Sequence, residues 1–234
     1  MSLLINLTDA SADLEAYIDS YVAATASLAN RYGTFYPSSA PYDQWIQGTN
    51  TSDYAAVLDG DFTAYSGGNL TGTADALTFG YGLTTDASGL TSVTNVELTF
   101  DFRDLNVNAG PDSFDYLVYG LIAGDASRVY DYFDDAGTIQ VGTEADNTLY
   151  GYDATDYFYF EDNWGSDTIN DFTDGEDYIV FDTSLWTNYA DFADDATISG
   201  NTIAWDGNTI TLAGFSGTLS SADFQFVADP ATIA

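Results

Sequence analysis

Thirty-seven aspartates and glutamates face only three cationic side chains, Arg31, Arg103 and Arg128, in a chain without lysine or histidine, and the formal net charge is −34. So much charge of one sign repels itself in any compact state. Folding is therefore helped by counter-ions, most naturally a hard divalent cation such as calcium bound by carboxylate oxygens. The other reading of the same composition is that an acidic surface keeps a secreted or marine protein soluble. Disorder does not follow, because hydrophobic residues make up 45% and aromatic residues 16% of the 234 positions, enough for one large or two modest cores. Nucleic acid and anionic membranes are disfavoured partners for such a surface.

Cysteine is absent, which excludes a disulfide framework and thiolate metal sites. The lack of histidine removes paired-histidine zinc chemistry, histidine-based triads and the usual haem axial ligand. Acidic pairs such as Asp134/Asp135 and Asp194/Asp195 are too frequent to mark glycosidase chemistry, and no nucleophile motif or phosphate loop occurs. A non-enzymatic protein is expected. The opening MSLLINLTDASADLEAY lacks a basic region and a long apolar run, so no signal peptide is expected there, nor any membrane span along the chain.

Leu14, Tyr17, Ile18, Tyr21, Val22 and Leu28 recur at three- and four-residue steps, which predicts an amphipathic helix within 9–31, with Thr8 or Ser11 as cap. Residues 32–70 read as loop and short strands ending in the turn Ser66-Gly67-Gly68-Asn69. Between Leu70 and Val107 the pattern alternates. Leu77, Phe79 and Tyr81 share one face, as do Val96, Leu98, Phe100 and Phe102, which predicts antiparallel strands with one buried side. Helical spacing returns at Phe114, Leu117, Val118, Leu121 and Ile122, and Asp125 can cap a further helix carrying Val129, Tyr130 and Phe133. Helix, strands and helices in that order predict an α+β domain over 1–136.

Beyond Gly137 the chain becomes rich in Asp, Gly, Asn and aromatics, with short strand segments at Tyr157–Phe160, Tyr178–Phe181, Thr202–Trp205 and Thr209–Leu212. A second, all-β domain is expected over 142–234, as a roll or sandwich. Its one internal repeat aligns GTEADNTLY (142–150) with GYDATDYFY (151–159), so that Gly142 matches Gly151, Asn147 matches Asp156 and Leu149 matches Phe158. The period fits the calcium nonapeptide G-G-x-G-x-D-x-U-x, in which U points into the roll. Thr143 and Tyr152 replace the second glycine, Ala145 and Ala154 the third, and Asn147 the first aspartate. These changes oppose positive φ and remove a carboxylate, which leaves open a β-turn pair that binds no ion.

Gly165-Ser166-Asp167-Thr168-Ile169, Asp171-Phe172, Gly175-Glu176-Asp177 and Ala222-Asp223-Phe224 carry a resemblance to the C-terminal modules of RTX proteins, including serralysin-type tails, over about 140–228. The resemblance implies type I secretion with an uncleaved C-terminal signal and folding triggered by extracellular calcium. Asp146, Asn147, Asp153, Asp156, Asp167, Asp174 and Asp177 are the candidate calcium ligands.

Gly72–Leu83 (GTADALTFGYGL), Val93–Asn106 and Leu117–Asp125 (LVYGLIAGD) resemble, in order and spacing, the HasA-type haem-acquisition haemophores, over about 1–135. That family holds haem iron with an early-loop histidine and a tyrosine just before the opening glycine of the first motif. Here Thr71 precedes Gly72 and no histidine exists, so haem is disfavoured as a cofactor. Tyrosinate ligation by Tyr36, Tyr42 or Tyr65 is the route left open, against the plainer reading of these residues as core or surface aromatics.

The leading functional expectation is a type I-secreted, calcium-stabilised extracellular structural or interaction protein: a surface, matrix or filament subunit that self-associates or meets another cell-surface protein. The alternative is an extracellular binder of haem or another small hydrophobic ligand. A carbohydrate partner read by Trp45, Trp164, Trp186 or Trp205 is a third possibility, with burial in the core the competing fate of those indoles.

Overall fold

The computed structural model describes residues 2–49, 54–66, 69–107 and 114–233; Gly67 and Gly68 of the expected turn and Pro111 lie outside them. The chain forms two compact units, one of Met1–Glu15 with Ala136–Ala234 and one of Ala16–Asp135.

The chain begins with strand β1 (Leu3–Leu7), a short 3-10 turn at Asp9–Ser11 and helix α1 (Leu14–Thr25). Thr8 caps the turn. Its hydroxyl accepts the Ala10 N–H at 3.3 Å, and Ser11 Oγ accepts the Thr8 N–H at 2.9 Å. The helix expected within 9–31 is thus a turn and a shorter helix. Thr25 marks its end, with a hydroxyl that bonds back to the Tyr21 carbonyl at 2.9 Å.

The unit 16–135 is an antiparallel meander: β2 (Thr34–Tyr36), β3 (Tyr42–Gln47), β4 (Tyr54–Ser66), β5 (Asn69–Thr85) and β6 (Thr91–Asn106), each paired with the next. Helices α2 (Phe114–Ala123) and α3 (Ser127–Ala136) follow. One sheet face is covered by helices through edge-on rings. Tyr21 of α1 meets Phe79 at 4.9 Å, Phe100 meets Phe133 of α3 at 5.4 Å, and Phe102 meets Phe114 of α2 at 5.3 Å. The alternation expected along β5 and β6 holds for Leu77, Phe79, Leu98, Phe100 and Phe102, all buried, but Tyr81 and Val96 are 42% and 46% exposed. A register shift between the Phe79–Leu98 and Gly80–Val96 pairs places an extra residue in β6 and reverses that strand's faces on the Val96 side of it.

The other unit is a parallel roll. After β7 (Thr138–Val141), β8 (Thr148–Tyr150), β9 (Tyr157–Phe160), β10 (Ser166–Asn170) and β11 (Tyr178–Asp182), the chain makes helix α4 (Tyr189–Asp195), β12 (Thr197–Ser199), β13 (Thr202–Trp205), β14 (Asn208–Ala213) and β15 (Phe224–Val227). Strands β7, β9, β11 and β15 pair in parallel in one sheet, while β8, β10 and β14 pair in parallel in the other, with β12 and β13 adding an antiparallel hairpin. Successive strands alternate between sheets, so each nine-residue repeat is one half-turn of a coil. Leu149 and Phe158, the matched apolar positions, are both fully buried, one in each sheet.

The expected domain division assigned residues 1–15 to the first domain. Instead β1 pairs in parallel with β7, and Thr148 of β8 donates to the Ala12 carbonyl at 2.7 Å. The N-terminal segment thereby covers the first edge of both sheets, which would otherwise present unpaired backbone groups. Gln140 completes the closure, since its amide exchanges hydrogen bonds with the Tyr150 carbonyl at 2.5 Å and N–H at 3.1 Å.

At the far end of the roll an aromatic cluster supplies the core. Phe181 is fully buried, with ring contacts to Trp164 (5.5 Å), Trp186 (5.1 Å) and Phe192 (5.2 Å). Replacing Phe181 with alanine is expected to cost about 3–5 kcal/mol, measured as a lower urea midpoint at unchanged slope.

Candidate functional site

The seven residues expected to hold calcium are spread along the roll. Asn147, Asp156 and Asp177 are buried at its turns and Asp167 is buried in β10, while Asp146, Asp153 and Asp174 are exposed. The buried four act on backbone amides. Thr143, Tyr152 and Thr173 donate their N–H groups to Asn147 Oδ1, Asp156 Oδ2 and Asp177 Oδ2, respectively, each closing a turn between residues four positions apart. The remaining oxygens reach across to the neighbouring coil. Thr138 N–H donates to Asp156 Oδ1 at 2.7 Å, Asp156 N–H to Asp177 Oδ1 at 2.9 Å, and Asn147 N–H to Asp167 Oδ1 at 2.7 Å. These carboxylates form ladders from coil to coil, and Asp146 adds a bond from Ser166 N–H at 2.9 Å. Asp174 lies beside Asp223, whose charge pushes its carboxyl pKa up. Among the described residues no three acidic side chains gather into a group that could hold a metal. In this structure the buried members accept backbone N–H groups.

Burial pushes the carboxyls of Asp156 and Asp167 up to about 7 and that of Asp177 up to about 6, with the donated N–H groups opposing the rise. The native state therefore keeps protons that the unfolded chain, with ordinary carboxyls, has released. Stability from these groups rises as pH falls from about 7 towards 4.

In the antiparallel unit a cavity of about 520 Å³ opens between the segment after α1, strands β3–β5 and helix α2. Phe35, Trp45, Leu58, Leu70, Val118 and Ile122 give it apolar walls, and Tyr32, Tyr65, Tyr119, Arg31 and Asp115 supply polar groups. Of the three tyrosines considered for iron, only Tyr65 lines the cavity. Its ring packs on Phe35 at 5.2 Å and is half exposed. Tyr42 packs on Phe35 at 4.6 Å without lining the cavity, and the Tyr36 hydroxyl is committed to the Ser88 carbonyl at 2.6 Å. Trp45 contributes to the wall, while Trp164 and Trp186 are buried in the roll and Trp205 stacks on Trp164 at 5.7 Å.

The cavity wall depends on two residues that sequence reading passed over. Gly33 has φ +68, and a Cβ there would lie 2.3 Å from Trp45 Nε1, so only glycine lets the segment cross the indole. Gln47 is fully buried between α1, the following segment and α2. Its Oε1 accepts the Tyr21 hydroxyl at 2.7 Å, and its Nε2 donates to the Arg31 carbonyl at 2.6 Å and the Leu121 carbonyl at 3.2 Å. A glutamine alternating with Trp45 on a strand was the only sequence signal available for it.

Three outcomes follow from this geometry. Gln47→Leu orphans a hydroxyl and two carbonyls and is expected to lower stability by about 2–4 kcal/mol in urea denaturation. Thermal melts are expected to show a higher midpoint at pH 5 than at pH 8, with a smaller rise in Asp156→Asn than in the parent chain. Calcium is expected to raise the melting midpoint no more than magnesium at equal concentration, since both screen the acidic surface alike.

No family profile matches the chain, and no curated protein does. Among solved structures, the chain is similar to the haem-loaded hemophore HasA from Yersinia pestis, at 19% identity over 56% of this chain and 88% of that one, with a TM-score of 0.45. Its apo form matches at 20% identity over 56% and 86%, also at 0.45. A monomeric HasA mutant from Yersinia pseudotuberculosis matches at 20% identity over 56% and 88%, again at 0.45.

Proposed function

We propose that this chain is a non-catalytic extracellular binding protein whose cavity takes a flat, largely apolar small molecule of the haem class. The observation that carries the reading is the cavity itself. About 520 Å³ falls within the range of small-molecule sites, and apolar and aromatic walls with a few placed polar groups are what such sites use. This supports the second of the two expected functions over the first. A self-associating surface or matrix subunit would draw on exposed apolar side chains such as Tyr81, Leu90 and Val96, but single exposed residues of this kind are ordinary on soluble proteins.

Tyr65 is the residue suited to meet iron. The Tyr32 hydroxyl already accepts from Arg31 Nη2, and the Tyr119 ring lies under the Arg128 guanidinium at 4.8 Å. Tyrosinate is an established ligand for ferric haem, and its bond to the iron would shift the porphyrin absorbance by which binding is read. The apolar walls of Phe35, Leu58, Leu70 and Val118 would exclude water from the flat faces of the ligand.

Titration of the full chain with haemin is expected to give a saturable Soret band at one equivalent. In Tyr65→Phe the band is expected to shift, with affinity lower by about tenfold, equivalent to losing about 1.4 kcal/mol. A linear, unsaturable absorbance increase would remove the reading, and a monomer in sedimentation with millimolar calcium would count further against self-assembly.

A further inference from the structure

We propose that Arg31 is an anion anchor, so that the cavity selects a flat apolar ligand bearing a carboxylate over its neutral ester. The inference rests on the ligand-binding reading and concerns what that ligand must carry.

In a chain with 37 acidic residues, an arginine without an acidic partner requires a reason. Arg128 has one, since its Nε lies 3.2 Å from Asp125 Oδ2. Arg31, on the cavity wall, forms no ion pair among the described residues. Its Nη1 donates to the Ala26 carbonyl at 3.2 Å and its Nη2 to the Tyr32 hydroxyl at 2.5 Å, both neutral acceptors. The guanidinium carbon stands 4.7 Å from the Tyr32 ring centre. Gln47 holds the Arg31 backbone in place through its carbonyl.

These contacts hold the guanidinium through two of its five N–H donors, and both acceptors are neutral. Among the described residues Asp115 is the acid that lines the cavity, and its Oδ1 accepts the Leu70 N–H at 2.9 Å. At a net charge of −34 the protein repels an anionic ligand from a distance, so a local, pre-oriented cation decides whether a carboxylate is tolerated at the cavity. A guanidinium can hold that carboxylate through paired N–H bonds, which an ester cannot match.

The plainer role for Arg31 is to tie down the chain after α1 through Ala26. The two roles separate on selectivity. Metal-free protoporphyrin IX and its dimethyl ester, each added to the full chain from dimethyl sulfoxide, are followed by quenching of the tryptophan fluorescence, to which Trp45 on the cavity wall contributes. The parent chain is expected to bind the acid about tenfold more tightly than the ester, the scale of a charged hydrogen bond. In Arg31→Met the acid is expected to fall to the ester's affinity, while the ester's affinity stays unchanged. Arg31→Lys is expected to recover part of the preference. Equal affinity for acid and ester in the parent chain overturns the inference without touching the binding reading, and needs no variant to fold. Equal weakening of both ligands in Arg31→Met assigns Arg31 a structural role and also overturns it. Binding of neither overturns both.

Discussion

With three arginines and no lysine, a carboxylate buried in this chain has almost no cation to pair with, and the roll is built around that shortage. Its interior acids are met by backbone N–H groups: Asp156 and Asp177 each close their own turn and reach the coil beside it, while Asp167 accepts the Asn147 N–H of the neighbouring coil. A charge buried without such partners would be prohibitive, whereas the two amide donors at Asp156 and at Asp177 offset part of the desolvation. The remaining cost is visible in the raised pKa values of Asp156, Asp167 and Asp177. Fixing the turns from the side chain also relieves the backbone of the glycines that the nonapeptide pattern uses. Thr143 and Tyr152 stand where glycine is expected, and their N–H groups are the donors to Asn147 and Asp156.

The antiparallel unit meets the same shortage with neutral amides. Gln47 joins three segments, and Gln44 binds the Thr91 N–H and carbonyl while contacting Asp59 at 2.6 Å. A buried amide can both donate and accept without bringing charge into the core. Around Gln47 the cavity keeps its shape. The same interior bonds therefore hold both the core and the cavity wall, and Arg31, which forms no ion pair among the described residues, lies where they converge on the segment after α1.

Much of the secondary structure could be read from periodicity. The strands from Leu70 to Val107, helices α2 and α3 and the short strands of the roll lie close to where alternation and helical spacing place them. Where the reading departs, a non-local cause is at work. Val96 turns outward because a bulge in β6 reverses the alternation. Residues 1–15 join the roll because its first sheet edges need covering. The site was less legible: one of three weighed tyrosines lines the cavity, and neither Gly33 nor Gln47 stood out.

Composition and spacing alone determined that the chain has an acidic surface, lacks thiol and histidine chemistry, and passes from an α+β half to a repeating β half. These properties are local or additive, so they survive in one dimension. Tertiary structure alone decided what the buried acids bind, where the N-terminal strand goes, and which aromatics enclose a cavity. Tyr21, Arg31, Gln47 and Leu121 meet across as many as 74 positions of sequence. Contacts at that separation depend on how faces pack, which no local pattern encodes.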